Sequence, residues 1–86
     1  MADYPTMTER AAYRIRVRGR IDPRMSQRLE DLQIYNFCDA EDECETVLEG
    51  ELMDQSALVG VIKTLYELHL PVISADCLGA IYKHEG

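Results

Sequence analysis

Residues 13–21 have the sequence YRIRVRGRI, in which aromatic, aliphatic and glycine residues alternate with four arginines. A period of two places alternate side chains on opposite faces of a strand, so this stretch predicts a strand with one largely apolar and one cationic face. Residues 44–52, CETVLEGEL, alternate in the same way and place three glutamates and Val47 on one face. The second of these strands is therefore the counterpart of the first, with the opposite charge.

The segments between these strands predict a helix and a further strand. Asp22 and Pro23 are suited to an N-cap and a first helical position, and the apolar spacing that follows predicts a short helix from about Pro23 to Leu32. Residues 34–38 are aliphatic and aromatic enough for a strand, and the acidic residues 39–43 predict a solvated turn.

The last third of the chain predicts one longer helix and a final strand. Asp54 is the candidate N-cap of this helix, and Pro71 ends the helix. Residues 72–77 predict the final strand. The apolar stripe of this helix consists of Leu58, Val61, Ile62, Leu65 and Leu68. Gly60, inside the helix, predicts a close approach of the helix to the sheet.

The order strand, helix, strand, strand, helix, strand predicts an α+β fold, the ferredoxin-like split βαβ sandwich (βαββαβ). Two helices would cover one face of a four-stranded antiparallel sheet whose first and third strands lie side by side in the centre. We expect residues 1–11 to form a flexible tail, residues 12–79 the single domain, and residues 80–86 a C-terminal tail.

Size and charge exclude several classes of protein. The chain has 86 residues with nine Lys and Arg against sixteen Asp and Glu, a net charge of −7. This acidic balance argues against nucleic acid as a partner, because binding a phosphate backbone needs a positive face. We also expect no membrane association, since no apolar run approaches about 20 residues. The polar N-terminal stretch has no signal-peptide features, which predicts a cytoplasmic protein.

The charges are strongly separated along the chain. Seven of the nine basic residues lie between Arg10 and Arg28, and ten acidic residues with no lysine or arginine lie between Glu30 and Asp54. In the predicted fold the Arg face of the first strand and the Glu face of the third lie together on the open side of the sheet, where cross-strand ion pairs would form. The candidate ligand or interface residues are Arg14, Arg16, Arg18, Arg20, Glu45, Val47, Glu49 and Glu51, together with Gln55 at the helix entry.

Three interpretations of this charged face stay open. It could be a solvated ladder of ion pairs, which is the usual fate of charged surfaces. It could instead contact a second copy or another protein, which would make the chain a non-enzymatic homodimeric or accessory interaction domain. The third interpretation is a regulatory domain in which the arginines hold an anion or an amino acid.

The sequence predicts no cofactor, no metal site and no catalytic residue, since it specifies neither a nucleophile nor an acid–base pair. Cys38 and Cys44 could face each other across a hairpin, but without an export signal we expect reduced thiols. The remaining cysteine and three of the six aromatic residues are expected in the core, namely Cys77, Tyr35, Phe37 and Tyr66. Gln55 is expected to bond to the backbone, Arg18 or Arg20.

Two motifs carry a resemblance to a known family. They are G-R-I-D-P-R at Gly19–Arg24 and D-Q-x-A-L-x-G at Asp54–Gly60. With these motifs the sequence resembles a family of small uncharacterised bacterial proteins over most of residues 13–78. The resemblance implies a stand-alone single domain and no assigned activity, so it transfers no catalytic residue.

Overall fold

The computed structural model describes residues 10–80 of the chain. These residues form four strands, one α-helix and one 3-10 helix. The strands are β1 (Ala11–Arg18), β2 (Gln33–Cys38), β3 (Cys44–Leu52) and β4 (Val72–Ala80), the 3-10 helix is Pro23–Leu29, and α1 is Gln55–Glu67. Residues 1–9 and 81–86, which make up most of the two predicted tails, lie outside the described residues.

The strands form one antiparallel sheet in the order β2-β3-β1-β4, with β1 and β3 in the centre as predicted. The register of β1 on β3 pairs Ile15 with Leu48 and Arg14 with Glu49, so apolar residues share one face and charged residues the other. Because a slip of one residue would turn the arginines into the core, this alternation fixes the register.

The core lies between this sheet and the two helical elements, which contact each other. Ile15 and Val17 of β1 and Leu48 of β3 are fully buried. The other buried apolar residues of the core are Ala11, Tyr13, Ile21, Leu29, Leu32, Leu52, Val61 and Leu65. Among residues 10–80, no helix packs against the other face of the sheet, which carries the arginines and glutamates.

The predicted ferredoxin-like βαββαβ fold with two α-helices is wrong, because the first helical segment is a seven-residue 3-10 helix. Asp22 caps it and Pro23 opens it, as predicted, but Glu30 and Asp31 both take left-handed φ angles, of 57° and 59°, and turn the chain back after Leu29. The helix thus ends before α-helical hydrogen bonds could offset the cost of nucleation. The apolar spacing in this segment fits either kind of helix.

The helix α1 begins where the sequence predicted. Asp54 is its N-cap, and its side chain accepts hydrogen bonds from the backbone N–H of Ala57 (2.9 Å) and the hydroxyl of Ser56 (2.7 Å). These bonds, that of Ser56 first, lower the pKa of Asp54. The helix buries Val61 and Leu65 against the core. Tyr66, expected in the core, lies instead on the outer side and is 79 % exposed.

Gly60 does not mark a close approach of α1 to the sheet, because a Cβ atom built there would meet nothing within 4 Å. That prediction is wrong, and the residue is exposed. We therefore expect Gly60→Ala to raise the free energy of unfolding by about 0.5 to 1 kcal/mol, since alanine loses less backbone entropy in a helix. Urea denaturation measures this change, and a lower stability of the variant would contradict this environment of Gly60.

Within residues 10–80, no helix combines the length and the apolar character required to cross a membrane.

Candidate functional site on the open face of the sheet

The uncovered side of the sheet, called the open face below, is organised in rows that cross the strands. One row contains Phe37, Glu45 and Arg18, and the next contains Tyr35, Val47 and Arg16. A third row contains Gln33, Glu49, Arg14 and Asp76. The strand order therefore places the aromatic rings of Tyr35 and Phe37 along the β2 margin of this face, beside the glutamates and arginines of the two central strands.

Two strong ion pairs join the central strands. Arg16 donates from Nε and Nη2 to the two carboxylate oxygens of Glu45, at 2.9 and 3.0 Å, and Arg14 donates from Nε to Glu49 at 2.6 Å. These hydrogen bonds raise the pKa of Arg16 and lower the pKa of Glu45. All four side chains are between 38 % and 46 % exposed. At that exposure solvent screens both pairs, so their contribution to the stability of the fold is small.

Two further arginines on this face are held loosely. Arg18 lies 3.9 Å from Glu43 and Arg10 lies 3.9 Å from Glu51. The side chains of all four of these residues are more than half exposed. Their charged groups are thus available to an incoming molecule at much lower cost than those of Arg14 and Arg16.

Both margins of the open face carry large exposed apolar side chains. Tyr35 (43 % exposed) and Phe37 (61 %) lie on the β2 margin, and Ile73 (43 %) and Leu78 (47 %) on the β4 margin. Ile73 lines a depression of about 320 Å³ with Phe37, and Leu78 lines one of about 700 Å³ with Tyr35. The face is therefore an ion-paired stripe between two apolar margins.

The prediction that Tyr35 and Phe37 belong to the core is wrong. In β2 the residues turned toward the helices are Ile34 and Asn36, so the two aromatic rings fall on the opposite side. Strict alternation within residues 33–38 was the signal that could have placed them. Cys77 was also expected in the core and is exposed.

Two of the predicted site residues lie away from the open face. Arg20 follows the end of β1, near Asp22. Gln55 lies at the start of α1 beside the hydroxyl of the buried Tyr13, and not at Arg18 or Arg20. Burial first, and then Cys77, raises the pKa of Tyr13.

Cys38 and Cys44 form a disulfide at the tip of the β2–β3 hairpin, which corrects the expectation of reduced thiols. The two residues are directly opposite in the register, with Cα atoms 4.0 Å apart. The expectation of reduced thiols depended on the predicted cytoplasmic location. The disulfide instead follows from the register of the hairpin, which places the two cysteines opposite each other. Asp42 completes a group of possible metal-ligand atoms within 4.8 Å, but both sulfur atoms are joined to each other, so metal binding there would first need reduction.

The fold and this face define a small α+β domain with one face of its sheet covered and the other open and ion-paired. Residues 12–76 match the family described as Domain of unknown function (DUF8691), and the chain belongs to that family. This agrees with the resemblance to an uncharacterised family. No curated protein and no solved structure shows a significant match to the chain.

Proposed function

We propose that this protein is a non-enzymatic interaction domain that forms a homodimer through the open face of its sheet. The observation that carries the proposal is the set of four large apolar side chains, 43–61 % exposed, on both margins of that face. Apolar side chains that border a polar surface are typical of protein contact sites. A small domain also gains from a second subunit, since a chain of this length buries only about 60 to 65 % of its unfolded surface.

The structure favours a protein partner over a small anion. Arg14 and Arg16 are already engaged by Glu49 and Glu45, so an anionic ligand would have to displace those carboxylates and approach the glutamates of β3. A protein surface can instead cover both charges together. An accessory module bound to another protein would use the same face. The experiment below distinguishes this accessory role from a homodimer. The cytoplasmic location and the bacterial origin of the family stay predictions.

Sedimentation velocity of the full chain, from about 5 µM to about 500 µM, tests the proposal because dissociation constants of modest interfaces fall in this range. We expect a concentration-dependent dimer. Phe37→Ser removes an exposed ring from the open face and should weaken the dimer by at least about 10-fold, given that a buried aromatic anchor contributes about 2 kcal/mol or more.

Tyr66→Ser is the matched control, because Tyr66 is also an exposed aromatic residue but lies on the outer side of α1. It should leave the dimer unchanged. A wild-type chain that is monomeric at every concentration contradicts the homodimer and leaves only the accessory role. A dimer weakened by Tyr66→Ser and not by Phe37→Ser places the contact on the helix.

A further inference from the structure

The rows of the open face distinguish between the two ways in which copies of this sheet can stack. In the aligned class of sheet packing the strands of the two sheets stay within about 30° of each other, and a two-fold axis in the plane of the interface then runs nearly along the strands or nearly across them. An axis across the strands lays each strand on its own copy. Arginines of β1 would face arginines, and glutamates of β3 would face glutamates, which is repulsive.

An axis along the strands and between β1 and β3 gives the opposite result. It keeps each residue at its own height on the sheet but exchanges the two sides, so that β1 lies on β3 of the second copy. Arg14 then faces Glu49, and the loosely held Arg18 faces Glu45, because these residues already share rows. Val47, in the row of Arg16, covers the aliphatic part of that side chain.

The apolar margins match under the same axis. The exchange of sides places β2 of each copy on β4 of the other. Phe37 meets Ile73, since both line the depression at one end of the face. Tyr35 lies in the row of Arg16, which continues to Ser74 on β4. The hydroxyl of Tyr35 reaches Gln33 beside the depression that Leu78 also lines. In the third row, the Gln33 amide can donate to the carboxylate of Asp76.

We infer that the partner of the open face is a second copy arranged about a two-fold axis parallel to the strands, with β1 on β3 and β2 on β4. This inference rests on the proposed function. Four strands about 4.8 Å apart and about eight residues long cover roughly 500 Å². Two such faces bury roughly 1,000 Å², the lower limit for specific interfaces, so the dimer should be of modest affinity.

A charge exchange between the central strands tests the axis. The four-fold variant Arg14→Glu, Arg18→Glu, Glu45→Arg, Glu49→Arg reverses both pairs that face each other about the axis along the strands and leaves the net charge at −7. About an axis along the strands it should dimerise with itself as the wild type does, but repel the wild type. About an axis across the strands it should instead prefer the wild type.

The readout is native mass spectrometry of an equimolar mixture with isotopically labelled wild type. We expect two homodimers, with the mixed dimer at least about 10-fold less abundant than random pairing gives. A mixed dimer at or above the random share overturns the inference while leaving the proposed function intact. A wild-type chain that is monomeric in these solutions overturns both.

The smaller exchange Arg14→Glu, Glu49→Arg covers the case in which the four-fold variant does not fold, because it leaves the Arg16–Glu45 pair in place. It should shift the mixture in the same direction by a smaller factor. Random mixing of this folded variant with the wild type also overturns the inference.

Discussion

Asn36→Ala is expected to lower the free energy of unfolding by about 3 kcal/mol, because two buried backbone groups lose their partners. The Asn36 side chain accepts from the N–H of Ile21 at 3.0 Å and donates to the carbonyl of Ile21 at 2.8 Å. The Asn36 side-chain amide therefore makes the two backbone hydrogen bonds to Ile21 that a neighbouring strand would make. The hydroxyl of the fully buried Thr46 lies 2.5 Å from its carbonyl oxygen.

Gln33→Ala is the control for this change, since Gln33 is exposed in the same strand and should alter stability by about 0.5 kcal/mol or less. Urea denaturation followed by circular dichroism measures both variants. Equal stability of the two variants would show that the Asn36 amide does not hold Ile21.

Reduction of the Cys38–Cys44 disulfide is expected to lower the free energy of unfolding by about 2 kcal/mol, the chain-entropy value for so short a loop. The fold itself should persist, because the turn has its own hydrogen bonds. Asp39 Oδ1 accepts from the N–H groups of Glu41 (2.9 Å) and Glu43 (3.0 Å), and the Asp39 N–H donates to the Glu43 carbonyl.

Thermal and urea unfolding with and without a phosphine reductant measure this contribution. The variant Cys38→Ser, Cys44→Ser should match the reduced wild type, and Cys77→Ser, which alters a free cysteine, should match the oxidised wild type. Unfolding curves that are identical with and without the reductant would contradict the contribution of the disulfide. Loss of all secondary structure on reduction would contradict the independence of the turn.

The sequence was most informative where two physical signals agreed. In β1 and β3 the period of two coincides with a contrast between apolar and charged residues, so the two faces and the presence of Arg–Glu pairs between the strands could be predicted. The partner of Arg16 could not be predicted. This residue lies opposite Val47 in the register, but its side chain bonds to Glu45, two residues away on β3. A long arginine side chain can reach several carboxylates on the neighbouring strand, and only the folded structure shows which of them it binds.

Two of the failed predictions have different physical causes. Asn36 points inward because Ile21, fifteen residues away, needs its amide, and this inward position turns Tyr35 and Phe37 outward. A general preference of aromatic residues for the core could not reveal that. The second cause is local: the spacing of Met25, Leu29 and Leu32 could not show that Glu30 and Asp31 turn the chain back and leave a 3-10 helix.

The most direct test of the central claim, that the open face is the dimer contact, is paramagnetic line broadening of methyl resonances by a soluble gadolinium chelate. The methyl groups of Ile73 and Leu78 lie on the open face, and Val59, 64 % exposed, lies on α1 as the reference. As the chain is concentrated into the dimer, broadening at Ile73 and Leu78 should fall while that at Val59 stays constant. Equal broadening of all three residues at every concentration would contradict the claim.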